Sequence, residues 1–255
     1  MLPFDPNLLV NRHKYLFVAP DREATVYSFA GADAADQLSI LLDRFGEQLE
    51  SNDPRTTAML FFKRYCPLFA GAVYAWVHHR YPLNLAFNNM RLVQSGANMK
   101  FHLISDGPAE GIDGLDEAYL RHLFHEHAAP LIALVSSYSG VSRPALWHTI
   151  AYAISYWKQE WLAECSSEIN GRIERWFQYA TDRANPAWLP DQSVNPIACA
   201  FRTMDDPLHD GRKILIRKAC CLNYKLPDED RGYCYTCPLI SDEQRLDQYL
   251  ESHAH

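Results

Sequence analysis

Of the seven cysteines in this chain, four crowd into its last part as Cys220-Cys221 and Cys234-Tyr-Thr-Cys237, the latter followed by Pro238. A Cys-x-x-Cys loop turns two sulfurs toward one metal, but the same spacing serves thioredoxin-type redox loops and zinc knuckles. The adjacent pair is more telling. Neighbouring side chains diverge on an extended backbone and do not readily clamp one tetrahedral ion, for which a zinc ribbon would use two Cys-x-x-Cys loops. A dinuclear [2Fe–2S] cluster accepts sulfurs over a wider set of positions, so four cysteines can hold it in this arrangement. Spacing alone leaves three chemistries open: an iron–sulfur cluster, a structural zinc, and a redox disulfide or inert thiols. Arg217, Lys218, Lys225 and Arg231 flank the cysteines. Positive charge there favours thiolates and raises a cluster's potential, although Lys225 and Arg231 also fit the role of solvated surface charges.

Cys66, Cys165 and Cys199 are scattered through apolar surroundings and read as small buried hydrophobes. An odd cysteine count so distributed does not describe a secreted disulfide framework. His122-x-x-His125-Glu126-His127 could place two imidazoles on one helix face. With Leu123 and Phe124 facing inward, however, these histidines are expected on a solvated polar face rather than at a metal. No Gly-x-Gly-x-x-Gly follows a strand and no Walker-type loop occurs, so the sequence offers no nucleotide site.

The elements that must position the cysteines are mainly helical. Leu38, Leu41, Leu42, Phe45 and Leu49 recur at three- and four-residue steps and predict an amphipathic helix over residues 33–50. Asn52-Asp53-Pro54 caps and opens a second helix through Met59, Leu60, Leu68, Val73 and Trp76, which Pro67 should kink or divide. The helical period disappears over residues 83–92 and 99–104, where a β-hairpin or small sheet turns at Ser95-Gly96-Ala97-Asn98. A short strand is expected over residues 14–18.

After Gly107-Pro108 a long helical stretch carries Leu115, Tyr119, Leu123 and Phe124 on one face. A further helix, capped by Ser142 and opened by Pro144, has a stripe of Leu146, Ile150, Ile154, Trp157 and Trp161. Another follows over residues 167–179. Pro186 and Pro190 mark a loop over residues 182–195. A strand at 213–217, the cysteine segment and a terminal helix from Ser241-Asp242-Glu243 complete the chain. The expected class is α+β, mainly helical, with a small central β-hairpin or sheet and a small C-terminal unit. The expected division is a helical region over residues 1–200 and a cysteine-bearing region over residues 201–255.

With 255 residues, 48% of them hydrophobic and 22% charged, the chain can bury a substantial core. A net charge of −7 argues against nucleic acid as a partner, because phosphate binding needs clustered Lys and Arg. The first residues lack the basic start and apolar stretch of a secretory signal, and the longest apolar run, residues 65–77, is too short to span a bilayer. Cytoplasmic residence is the expectation, with peripheral association at the inner face of the membrane left open.

The tail resembles the FhuF-type ferric-siderophore reductases, whose C-terminus carries Cys-Cys, an intervening stretch and Cys-x-x-Cys, with a Tyr-x-Leu-Pro element that stands here as Tyr224-Lys225-Leu226-Pro227. The resemblance implies a [2Fe–2S] cluster on Cys220, Cys221, Cys234 and Cys237, serving both as ligands and as the electron-transfer site. It also implies an oxidoreductase that reduces siderophore-bound iron(III) by one electron and releases iron(II) in the cytoplasm. Residues 1–200 would then bind the siderophore and 201–255 the cluster. The implied partners are a ferric siderophore, hydroxamate class favoured, a separate electron donor such as a ferredoxin or reductase, and a membrane importer in transient association.

The alternative is a non-enzymatic siderophore- or partner-binding protein with a structural zinc tail. The upstream likeness is weaker and shared in part with siderophore-synthesis proteins of the aerobactin type, which lack the cysteines. One departure is the gap of twelve residues between Cys221 and Cys234, longer than the family's usual one. Its extra length falls in Asp228-Glu-Asp-Arg-Gly-Tyr and is expected to extend a surface loop. Arg64, His78, His79, Arg80, Arg91, Lys100 and His102 are candidates to line a pocket for the chelate's oxygens.

Overall fold

The computed structural model describes residues 4–22, 24–96, 98–112, 114, 116–183, 188–189, 194–227 and 232–253. Ala97 of the expected turn, Leu115, Pro186, Pro190 and Arg231, with residues 228–231 of the insertion placed over 228–233, fall outside these described residues. The chain opens with α1 (Asn7–His13), β1 (Tyr15–Leu16) and β2 (Thr25–Tyr27), followed by α2 (Ala34–Gln48). The periodic Leu38, Leu41, Leu42 and Phe45 of α2 are all buried. Asp53 starts α3 (Pro54–Tyr65) by accepting the Arg55 N–H at 3.0 Å and the Thr56 hydroxyl at 2.8 Å.

Pro67 divides rather than ends the helical run. Cys66 keeps a right-handed helical conformation, and α4 (Pro67–His79) begins at once with proline in its first turn, where a missing N–H costs little. Together α3 and α4 are buried on nearly all sides and form the centre of the molecule. Gly71 of α4 is required by close approach, since a Cβ there would stand 2.5 Å from the Tyr15 ring. Without a side chain at that point, β1 can lie against the helix.

β3 (Met90–Ser95) and β4 (Asn98–Leu103) form the expected hairpin, with Leu92 opposite Phe101. They sit inside a four-stranded sheet of order β1-β4-β3-β2, in which β1 runs parallel to β4 and β2 antiparallel to β3. Extended pairing begins only at Met90. The preceding segment makes a single bridge, Leu83 with Pro108, and otherwise runs irregularly.

α5 (Asp116–Leu120), a π-helical stretch (Arg121–Ala128) and α6 (Ala129–Ser139) follow as successive helical segments. The π-helical stretch corrects the expectation of solvated histidines. His122 and His127 are buried, and both grip the peptide of Leu85: His122 Nε2 accepts its N–H at 3.0 Å, and His127 Nδ1 donates to its carbonyl at 2.6 Å. His127 Nε2 then accepts the Tyr65 hydroxyl at 2.8 Å. A wider helical turn thus brings residues 122 and 127 to one peptide that lies outside the sheet.

α7 (Arg143–Glu164) is the longest helix and α8 (Ser167–Ala180) packs beside it. Ser142 occupies the N-cap of α7 in extended conformation, but its side chain makes no capping hydrogen bond; its carbonyl accepts from Ala145 N–H at 3.0 Å. β5 (Arg202–Asp205) and β6 (Lys213–Ile216) pair antiparallel, and α9 (Asp242–His253) closes the chain. The architecture is mainly helical α+β. One hydrophobic core extends from α2, α3 and α4 to Cys221 and Leu226 in the tail. Among the described residues no helix is long and apolar enough to cross a membrane.

Candidate metal centre

β6 delivers the first cysteine pair and the Arg217 backbone sets it beside the second. The Arg217 N–H donates to the Thr236 carbonyl at 3.0 Å, tying the approach to Cys220 to the loop between Cys234 and Cys237. That loop is a tight turn in which Cys237 N–H donates to the Cys234 carbonyl at 2.8 Å. After Cys221 the chain reverses at Leu222, a non-glycine residue in the left-handed region with φ 61°. Such a conformation persists only where the surroundings enforce it. A short 3-10 turn (Asn223–Lys225) follows, Lys225 pairs with Asp53 at 3.2 Å, and Leu226 is buried in the core. The Tyr-x-Leu-Pro element is therefore an anchor: its leucine plugs the core while its lysine binds the cap of α3. Across the longer gap, the Tyr224 and Tyr233 rings lie 4.5 Å apart.

Arg245 of α9 holds the second loop from behind. It is fully buried and donates to the carbonyls of Tyr235, of Cys237 at 3.0 Å and of Ile240 at 3.2 Å. One guanidinium thereby satisfies three carbonyls that a short irregular loop could not pair for itself.

The four sulfurs meet in two pairs. Cys220 Sγ lies 3.5 Å from Cys237 Sγ, and Cys221 and Cys234 lie near enough for each to shift the other's thiol. Two thiolates on one tetrahedral metal, at bond lengths of ~2.3 Å, stand ~3.8 Å apart. The spacing of the first pair is close to that. One sulfur of each pair also meets a hydrogen-bond partner: Leu222 N–H donates to Cys220 at 3.4 Å, and the Thr236 hydroxyl lies 3.4 Å from Cys234. Among the described residues no three His, Cys, Asp or Glu side chains gather as ligands of a single ion. A two-and-two division with hydrogen-bond partners at Cys220 and Cys234 fits a dinuclear cluster, whose potential such hydrogen bonds tune.

Two cations face the sulfurs. Lys63 Nζ, from α3, lies 3.9 Å from Cys221 Sγ. Arg217 donates through Nε to Thr236 Oγ1 at 3.1 Å and lays its guanidinium on the Tyr152 ring, 4.0 Å from the centroid. The Cys221 thiol, the Thr236 hydroxyl and the charges of Lys63 and Arg217 hold the Cys234 thiol below its ordinary value against the opposing effect of burial. Its partner Cys221 is pushed up by the nearby Cys234 thiol and by burial, and Cys237 is raised to about 12 chiefly by burial. Cys234 is thus the thiol most readily ionised beside the two cations, and a metal is what draws the raised thiols of Cys221 and Cys237 into the thiolate form.

The other sequence candidates are dispersed. Lys225 is committed to Asp53, and the Lys218 charge acts on the Cys199 thiol, pulling it down against the larger upward effect of burial. Cys66 is buried as expected, whereas Cys165 and Cys199 are only half-buried, Cys165 resting 3.3 Å from His78 Nε2. Arg64 sits over the Phe45 ring, Arg80 pairs with Asp116 at 2.8 Å, and Arg91 donates to the carbonyls of Phe87, Asn88 and Met90. His102 pairs across the sheet with Arg91, and Lys100 lines a separate hollow by Pro20. His78 and His79 are largely enclosed at the end of α4. The candidates are thus spread over α3, α4, β3 and β4 and engaged with separate neighbours. Lys63, Thr236 and Arg245 do the work at the sulfurs, and of these only Thr236, between the cysteines, carried a signal of proximity in the sequence.

Residues 217–239 match the family model of the FhuF 2Fe-2S C-terminal domain, a span that begins at Arg217 and takes in all four paired cysteines. No curated protein matches the chain. The match supports FhuF-like membership, and the matched domain indicates a [2Fe–2S] cluster.

Proposed function

We propose that this FhuF-like chain reduces iron(III) in a ferric-siderophore complex by one electron and releases iron(II), with Cys220, Cys221, Cys234 and Cys237 as the cluster's ligands. The observation that carries the proposal is the pairing of the four sulfurs, Cys220 with Cys237 and Cys221 with Cys234, with Lys63 and Arg217 alongside. The pairs suggest which thiols share an iron. When bound, the cluster supplies single-electron chemistry at a potential set by charge and hydrogen bonding.

The chain's own residues do the remainder. Leu222 and the Cys234–Cys237 turn aim the thiols, and Arg245 fixes the turn. Lys63 and Arg217 offset the negative charge that four thiolates and their metals accumulate. Reduction suffices for release because iron(III) is gripped by hard oxygen donors, whereas the larger and softer iron(II) is held far less tightly by them. Electron balance requires a separate one-electron donor protein, and the cytoplasm supplies a compartment where thiols stay reduced.

The test is a set of four single Cys→Ser variants assayed for iron, acid-labile sulfide and zinc, with iron(II) release from a ferric siderophore followed by a ferrous chelator. The proposal expects two irons and two sulfides per chain in the wild type, and loss of both cluster and iron(II) release in the variants. One zinc per chain without sulfide, or iron(II) release unaffected by the substitutions, would refute it.

A further inference from the structure

A cavity of about 160 Å³ opens beside the cysteines, between α3, α7 and the residue that follows β6. The face of α7 that carries Thr149, Tyr152, Ala153, Tyr156 and Trp157 forms one side, at the three- and four-residue steps of a helix stripe. Lys63 and Arg217 form the other. No carboxylate lines it, and among the described residues neither cation pairs with one. The same two cations are those that face Cys221 and Cys234. Tyr156 stands exposed at 40%, so aromatic surface extends from the cavity to solvent.

A neighbouring hollow of about 240 Å³ shares Tyr152 and Tyr156 but is already neutralised within itself. Its Arg212 pairs with Glu160 at 3.6 Å, His209 with Asp206 at 3.0 Å and Lys213 with Asp205. It therefore has no reason to select an anion. The smaller cavity does: two cations that meet no carboxylate among the described residues face an aromatic wall, an arrangement that attracts negative charge and stacks on flat conjugated groups.

Resting on the reductase reading above, we infer that this cavity receives one arm of a ferric chelate of net negative charge, seated between Lys63 and Arg217. The cavity is too small for a whole chelate, so the rest lies across Tyr156 at its mouth. This selects an anionic chelate, such as a tris-catecholate, over the hydroxamate class favoured from the sequence, whose trihydroxamate complexes can be neutral.

Gallium(III) complexes test the inference without electron transfer, since gallium(III) matches iron(III) in charge and does not accept the electron. Dissociation constants are measured by calorimetry on the cluster-loaded protein for a gallium tris-catecholate and for a neutral gallium trihydroxamate. The expected result is preferential binding of the tris-catecholate, weakened at least about tenfold by Lys63→Met and by Ala153→Glu, which places a carboxylate in the cavity. Retention of the visible spectrum by either variant shows that it has folded and holds its cluster. Equal affinity for both complexes, or affinity unchanged in both variants, would overturn the inference. In that case continued iron(II) release from ferric chelates would leave the reductase reading standing, whereas no reduction of any chelate would remove both.

Discussion

Lys63 reaches Cys221 from 158 residues upstream, and its charge is felt wherever the sulfurs carry an electron. A positive charge favours the reduced, more negative state. Lys63→Met is therefore expected to lower the cluster's midpoint potential by on the order of 100 mV, the effect of a unit charge ~6 Å away at an effective dielectric of ~20. A redox titration followed by visible absorption checks it, and an unchanged potential would mean that Lys63 is screened from the sulfurs. Arg245 acts differently, through geometry. Arg245→Met strands three carbonyls, each costing about 1–3 kcal/mol when left unpaired. The variant is expected to lose its visible absorption several-fold faster under chelator challenge while the far-ultraviolet helix signal persists. Equal rates of loss would show that the Cys234–Cys237 turn holds itself.

Among the elements, the tail is held to α3 by a buried leucine and a salt bridge. Leu226→Ala is expected to cost about 2–5 kcal/mol, read as a lowered melting temperature, with cluster loss preceding global unfolding because the anchor lies next to Cys221. The π-helical stretch carries a pH signature. Burial depresses the His127 imidazole to about 3, and His122 is depressed in the same direction. Because the unfolded chain takes up these protons near pH 6.5 and the folded chain does not, the stability is full above pH 6.5 and is lost as pH falls toward 3. The slope is about 1.4 kcal/mol per pH unit for each such group. Urea midpoints at pH 7 and pH 5 should fall accordingly, and less steeply in His127→Gln; an equal slope would contradict the burial of a neutral His127.

These elements also show what the sequence made legible. Strong periodicity and proline positions located α2, the α3–α4 break, α7 and the β3–β4 hairpin, because local pattern alone decides them. β2 is short and pairs only with the distant β3, β5 is a four-residue strand with three of its residues exposed and no apolar alternation, and the inward turn of His122 and His127 is set by the distant Leu85 peptide they bind, so none of these had a local signature. Of the site, the four cysteines were legible from spacing and family likeness. Lys63 and Arg245 were not, since their role exists only once α3 and α9 are packed against the tail.

For the whole molecule, the helical body and the tail share one hydrophobic core, and the cationic cavity lies where they meet. On the reductase reading, electron delivery and chelate docking would thereby meet at the same place, with Lys63 serving both. The most direct measurement is a single turnover under anaerobic conditions: the protein is reduced by one electron with dithionite, freed of excess reductant, and mixed with a ferric siderophore while its visible spectrum and trapped iron(II) are recorded together. The account predicts that the spectrum bleaches on reduction and returns on mixing, with one iron(II) appearing for each chain reoxidised. A colourless protein, or a reduced spectrum that stays bleached in the presence of the chelate, would contradict it.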